Sequence, residues 1–244
     1  MSEPDLRKDS TRCARPAREV ESVSRPLVPP IAMSVVYEVG SLDQVDAIYE
    51  GRAGGFVYAR DGHPNGRQLA EKVAALEGAE SAWVSASGMG AEAAVLLGHL
   101  GAGDRLAMAF GVYGRTARLA RELERFGVEV WEFDPSRAES LAGGLDERTR
   151  VVFAETISNP LLRLVDLEGL AEAAGKVGAL LVIDHTFAPG LCKPLALGAD
   201  VVTHSGTKLL GGHSDLTLGL AAGGREVMER VSSVGSTFGM SGNP

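Results

Sequence analysis

The sequence predicts an α/β fold, a mostly parallel sheet between helices, and three observations predict it. From about Asn65 onward, short runs of strand length alternate with stretches of helical period. Most of the runs are largely apolar rather than apolar at every second residue, as strands covered on both faces are. Glycines stand where the stretches end, at Gly78, Gly101, Gly127 and Gly178.

Taken in order, residues 68–77 place Leu69, Val73 and Leu76 on one helical face, and 81–87 reads as a strand. Residues 89–100 are Ala/Leu-rich and helical, and 105–110 is a strand. A helix over 115–126 carries Leu119 and Leu123 on one face, followed by strands at 128–133 and 150–155. A helix at 167–176 and strands at 179–184 and 200–204 complete the alternation. Residues 1–30 differ: Pro4, Pro16, Pro26, Pro29 and Pro30 stand among many charges. Proline fixes φ and removes donors, so an extended N-terminal arm is expected there rather than a helix or an internal strand.

Composition excludes several classes. The 244 residues are 45% hydrophobic and 23% charged, enough for a sizeable core in one large domain or two small ones. A net charge of −8 argues against a nucleic-acid partner, which needs Lys and Arg to displace phosphate counterions. Two cysteines, Cys13 and Cys192, exclude a disulfide framework. No apolar run approaches a membrane span, and the acidic, proline-rich start is neither a secretory signal nor an acid-poor transit peptide. A cytoplasmic protein without a membrane partner is expected.

Ligands of such sheets bind beyond the carboxyl ends of the strands, and polar residues collect there. Asp184 ends one apolar run, and burying its carboxylate requires a partner. Lys208, one of only five lysines, closes another run through Ser205-Gly206-Thr207. A desolvated Lys can form a Schiff base, and an Asp paired to a pyridinium nitrogen completes what pyridoxal 5'-phosphate requires. Taken singly, Asp184 could cap a helix and Lys208 could be a surface charge. Ser87-Gly88-Met89, between a strand and a helix, could cradle a phosphate or simply cap the helix. Gly101-Ala102-Gly103 lacks the third glycine of a dinucleotide loop, and Ser205–Lys208 lacks the phosphate-loop spacing. His204, His213 and Asp215 fit no standard metal spacing, so no metal is expected.

Six ordered segments carry a resemblance: Tyr58-Ala59-Arg60, Ser87-Gly88-Met89, Tyr113-Gly114, Glu155–Pro160, Asp184–Ala188, and His204–Lys208 with Gly212–Asp215. Together they resemble the Cys/Met-metabolism, or transsulfuration, family of pyridoxal-phosphate enzymes. That group includes cystathionine γ-synthase, cystathionine lyases, methionine γ-lyase and O-acylhomoserine sulfhydrylases. The resemblance implies the large domain of a type I, aspartate aminotransferase-like transferase over residues 61–244, preceded by an arm over 1–60. It implies a carbon–sulfur lyase or γ-replacement transferase acting on a small amino-acid substrate, through β/γ-elimination or γ-replacement.

The resemblance also implies roles. Lys208 would hold the cofactor as a Schiff base and move protons, with Tyr113 and Asp184 as the other catalytic residues. Asp184 would pair the ring nitrogen, Tyr113 would stack on the ring, and Asn159 would lie near the phenolic oxygen. Ser87, Gly88, Met89, Ser205 and Thr207 would bind the phosphate. Tyr58 and Arg60 would reach the phosphate of a neighbouring subunit, implying a homo-oligomer, dimer or tetramer.

The sequence departs from the family pattern in places. His185 stands where Asn is expected, Arg115 follows Tyr113-Gly114 where a small residue or Cys is usual, and the loop 188–194 is one residue short. A C-terminal small domain is expected to be absent, and with it the Arg that grips the substrate carboxylate. The alternatives are a non-catalytic fragment, or half of a split enzyme that needs a separate partner chain. An aminotransferase of the same fold fits the Tyr58–Arg60 and Gly212–Asp215 segments less well.

Overall fold

A computed structural model describes residue 24 and residues 26–137, 140–141 and 143–244. The chain divides into two units, residues 1–30 and 31–244. The arm expected over 1–30 lies mostly outside the described residues. Residues 26–30 form no helix or strand, and Leu27 and Val28 are exposed.

The second unit opens with an antiparallel bridge between Val36 and Tyr58, where Tyr37 and Ala59 donate to the carbonyls of Val57 and Val35. Between them lies helix α1 (Leu42–Tyr49), whose Ser41 cap accepts from the Gln44 amide. The stretch to residue 60 is therefore not extended throughout.

Next come α2 (Pro64–Glu77), β1 (Ser81–Ser85), α3 (Gly88–His99), β2 (Arg105–Ala109), α4 (Gly114–Glu124) and β3 (Glu129–Phe133). They are followed by β4 (Thr149–Glu155), α5 (Leu167–Val177), β5 (Leu180–Asp184), β6 (Val201–Ser205), β7 (Gly219–Gly223) and α6 (Arg225–Thr237). The sheet order is β1-β7-β6-β5-β4-β2-β3, with β7 antiparallel to both its neighbours and the other pairs parallel. The α/β sheet between helices is thus as the sequence predicts. Its strands and helices at 68–126, 128–133, 150–155, 167–184 and 200–204 reappear within a few residues.

The core explains the apolar runs. Val151, Val152, Leu181, Val182, Ile183, Val201 and Val202 are fully buried in the central parallel strands, which must be apolar on both faces. Along β7 the faces separate: Leu220 and Ala222 pack with Val73 of α2, whereas Ala221 joins the main core. Helix α3 is buried nearly all round, through Ala91, Ala94, Val95 and Leu96, and so is the central helix of the unit. The edges are managed. β3 presents Glu129 and Glu132, and β1 is covered by residues 240–242 through Ala86 to Met240 and Gly242 to Val84 bonds.

Helix α3 begins pressed against the end of the sheet. A Cβ on Gly219 would fall 1.9 Å from the Ser87 carbonyl oxygen, and one on Gly88 would fall 2.8 Å from Ser205 Cβ. Gly219→Ala is therefore expected to cost at least about 3 kcal/mol in urea unfolding, the upper end of overpacking costs. Gly54→Ala, with nothing within 4 Å of its new Cβ, is the control and stays within about 0.5 kcal/mol.

Candidate active site

A cavity of about 280 Å³ opens where the carboxyl ends of β4, β5 and β6 meet the starts of α3 and α4. Asp184 is the last residue of β5, and Glu155 of β4 is its register partner. The two carboxyls therefore stand side by side. Asp184 Oδ1 accepts the Thr186 amide at 2.8 Å, and Thr186 Oγ1 accepts the Ser205 amide at 2.8 Å. This chain of bonds ties the end of β5 to the end of β6. Lys208 follows in a turn closed by its amide to the Ser205 carbonyl at 3.0 Å, which brings it round into the same cavity.

The α3 start supplies the opposite wall. Ser87 is its N-cap and accepts the Gly90 amide at 3.1 Å. The capping reading of Ser87 is therefore true, and Ser87 lines the cavity as well. Gly88 and Met89, whose amides precede the first intrahelical donor, the Ala91 amide that bonds the Ser87 carbonyl, line it too. Thr207 Oγ1 accepts the Leu218 amide at 2.9 Å and donates to its carbonyl at 3.3 Å, so that hydroxyl also fixes the loop before β7.

Glu155 organises the third wall. One carboxylate oxygen accepts the Tyr113 amide at 2.5 Å and the other accepts the Asn159 amide at 3.0 Å. A single side chain thus holds the backbones of both candidate residues against the cavity. Tyr113 is half-exposed at the mouth, with 44% of its surface open.

The site is rich in carboxyls. Burial pushes the Glu155 carboxyl up to about 7, with Asp184 adding to the rise and the Tyr113 and Asn159 amides opposing it. Burial also raises Asp184, against the Thr186 hydrogen bonds and the nearby His204. Glu92 of α3, which also lines the cavity, is held well above the usual carboxylate range by burial and then by Asp184.

The structure thus brings Ser87, Gly88, Met89, Tyr113 and Asn159 together with Asp184, Ser205, Thr207 and Lys208. It does not bring Tyr58 and Arg60 to this cavity. Arg60 instead stacks on Tyr58 at 5.3 Å from the ring centroid, and Tyr58 is 39% exposed. Sequence reasoning missed Glu92, and it left Glu155 inside a motif without a task. Glu92 had a signal, as the one charge between Met89 and Leu97 of an otherwise apolar helix. His204, considered as a metal ligand, turns to Glu77 at 2.8 Å, and His213 to the Gly211 carbonyl.

Residues 10–244 match the family model described as Cys/Met metabolism PLP-dependent enzyme. The chain belongs to this family. It is 38% identical over 212 residues to an L-methionine gamma-lyase of Fusobacterium nucleatum, covering 86% of this chain and 54% of the relative. It superposes on a cystathionine gamma synthase from Xanthomonas oryzae solved with cystathionine, at TM-score 0.82 and 35% identity, covering 89% of this chain and 55% of the other. A Campylobacter jejuni chain described as an O-acetylhomoserine (thiol)-lyase, which carries a pyridoxyl-lysine phosphate, matches at TM-score 0.79 and 29% identity. The chain spans about half the length of the relatives it matches.

The donor set fits the family's pyridoxal phosphate. One amine, a half-buried carboxyl for a ring nitrogen, and a glycine-rich helix start share one cavity, and a Cβ on Gly88 would close the cradle against Ser205.

The Glu155 bridge has a pH signature. Its folded pKa of about 7 exceeds the usual 4.5, so folding favours the protonated form and stability declines as pH rises from about 4.5 to 7. In Glu155→Gln that decline is removed. Urea unfolding from pH 5 to 8 is expected to show the variant gaining on the wild type as pH rises. A parallel pair of profiles would contradict the assignment.

Proposed function

We propose that this chain is a pyridoxal-phosphate-dependent carbon–sulfur lyase or γ-replacement transferase of sulfur amino-acid metabolism. Its substrate would be cystathionine, an O-acylhomoserine or a related small amino acid. The observation that carries the reading is the meeting of Lys208 and Asp184 with the α3 start in one cavity. When bound, the cofactor supplies the electron sink for a substrate carbanion.

The residues would divide the work as follows. Lys208 Nζ holds the cofactor and then moves a proton at the substrate Cα. Asp184, fixed by the Thr186 amide, would face the ring nitrogen and keep it protonated. Tyr113 covers the ring face and shields it from water, on a backbone that Glu155 anchors. Asn159, anchored by the same carboxylate, would sit beside the phenolic oxygen. The Gly88 and Met89 amides, with the Ser87, Ser205 and Thr207 hydroxyls, receive the phosphate, whose charge suits a helix N-terminus.

Tyr58 and Arg60 would complete the phosphate site of a second copy, making the protein a homo-oligomer. Their place outside their own cavity, exposed and stacked as a pair, supports this. Residues 61–244 would form the cofactor-binding domain. Among the described residues no helix is long and apolar enough to cross a membrane, and a cytoplasmic enzyme is the corresponding reading.

The test is a visible spectrum of the purified chain with added pyridoxal phosphate. A cofactor band lost in Lys208→Ala, and shifted in wild type by cystathionine, O-acetylhomoserine or methionine, is the expected result. A band that ignores every amino acid would favour a half-enzyme needing a partner chain, and no band in folded protein would overturn the reading. The oligomer is tested separately. Arg60→Ala is expected to weaken cofactor binding roughly tenfold or more, the scale of one charge-assisted hydrogen bond, while light scattering shows the assembly unchanged.

A further inference from the structure

Glu92 is the buried ionisable group of the cavity that this division of work leaves unused. It stands five residues into α3 and is only 4% exposed. Thr116, in the first turn of α4, donates its hydroxyl to Glu92 Oε2 at 2.7 Å. On its other side Glu92 shares the lining of the cavity with Asp184, and the two carboxyls interact there. Around this pair stand Glu155 of β4, His204 of β6 and Lys208.

Two interacting carboxyls, one buried and one half-buried at the end of β5, do not readily ionise together, and such a pair titrates as a unit that holds one proton between its members. The fixed partners decide which way that proton points. Asp184 already accepts the Thr186 amide, which favours its carboxylate form. Glu92 has only the neutral Thr116 hydroxyl on its other side, which leaves it to supply the proton.

We propose that Glu92 is a positioning residue, which shares one proton with Asp184 so that the two carboxyls at the foot of the cavity carry a single negative charge. Asp184 is thereby held from both sides, by the Thr186 amide and by Glu92. A cationic ring nitrogen then meets one compensating charge rather than two. The residue acts through Asp184, and the proposal rests on the cofactor reading above.

The experiment has two arms, so that its failure and the failure of the cofactor reading are distinguishable. The first uses the cofactor-free chain in a Glu155→Gln background, which removes the other titrating carboxyl. Its infrared spectrum near neutral pH is expected to hold a protonated-carboxyl stretch that disappears in Glu92→Gln. The second measures pyridoxal phosphate binding and the bound absorbance from pH 6 to 9. Glu92→Gln, which keeps a donor toward Asp184, is expected to bind within about threefold of wild type but with a flatter pH profile. Glu92→Met, of similar length without a donor, is expected to lose at least about fivefold, with circular dichroism checking its fold.

An infrared spectrum unchanged by Glu92→Gln would overturn the proposal. So would Glu92→Met binding like wild type at every pH. If Glu92→Met fails to fold, Glu92→Gln alone decides: a pH profile identical to wild type overturns the proposal, and a flatter one upholds it. If the stretch is present and no variant or wild type binds pyridoxal phosphate, the shared proton stands and the cofactor reading falls.

Discussion

The start of helix α3 lies against the ends of β6 and β7 with no room for a side chain between them, and the site depends on that contact. Gly88 faces Ser205, Gly90 faces the Ser85 hydroxyl, and Gly219 faces the Ser87 carbonyl. Each glycine gives up packing area and costs backbone entropy in the unfolded chain. What the three allow is geometric: amides at a helix N-terminus brought beside the turn that carries Lys208. Binding groups held on rigid elements in this way are set by packing rather than by loop conformation. The bonds from Asp184 through Thr186 to Ser205 complete the frame across β5 and β6.

The frame concentrates like charges. Parallel register puts Glu155 beside Asp184, and α3 adds Glu92 over them. Three carboxyls around one small cavity cannot all be ionised when each is desolvated. Each also has neighbours that fix its behaviour. Glu155 accepts two backbone amides, Asp184 accepts one with His204 nearby, and Glu92 accepts only a hydroxyl. Burial raises all three, and the donors that each accepts oppose the rise. The cavity thus offers both a helix start and a group of carboxyls, which suits a ligand with an anionic phosphate and a cationic ring edge.

Much of this was legible in the sequence, because the signals were local. Central strands such as Val151–Val152 and Leu181–Ile183 must be apolar on both faces, and their ends are marked by Glu155 and Asp184. Strand β7 was not legible. Gly-Leu-Ala-Ala-Gly has no β-branched or aromatic residue, and its smallness answers to Ser87 and α2, which only the fold brings near. Helix α6 ends in Ser-Ser-Val-Gly-Ser-Thr, a poor helix former on its own. It is held by burial of Met228 and Val231 and by close approach to Gly98 of α3. Helix α1 has eight residues and buries none of them, so its periodicity was too short to read. Among the site residues, Lys208, Asp184 and Ser87 announce themselves at strand ends. Glu92 shows only as the lone charge of an apolar helix, and its task was not legible because Thr116 and Asp184 are 24 and 92 positions away in sequence.

The same distinction separates the two halves of the proposed chemistry. The groups assigned to the cofactor sit on strand ends and helix starts between Ser87 and Lys208, and their geometry follows from the sheet. The features in which this chain departs from the family pattern lie elsewhere. Arg115 is exposed just past Tyr113, and His185 is buried on a ring bonded to Thr156 at 2.8 Å. His185 packs edge-on against His204, at 5.4 Å between ring centroids, and so belongs to the packing behind Asp184. Arg115 faces solvent beside the cavity mouth, where a substrate would arrive. His185 therefore bears on how the Asp184 carboxyl is supported, and Arg115 on the surface beside Tyr113. The residue at position 115 can then change without disturbing the frame of β5, β6 and the α3 start, because it packs against none of them.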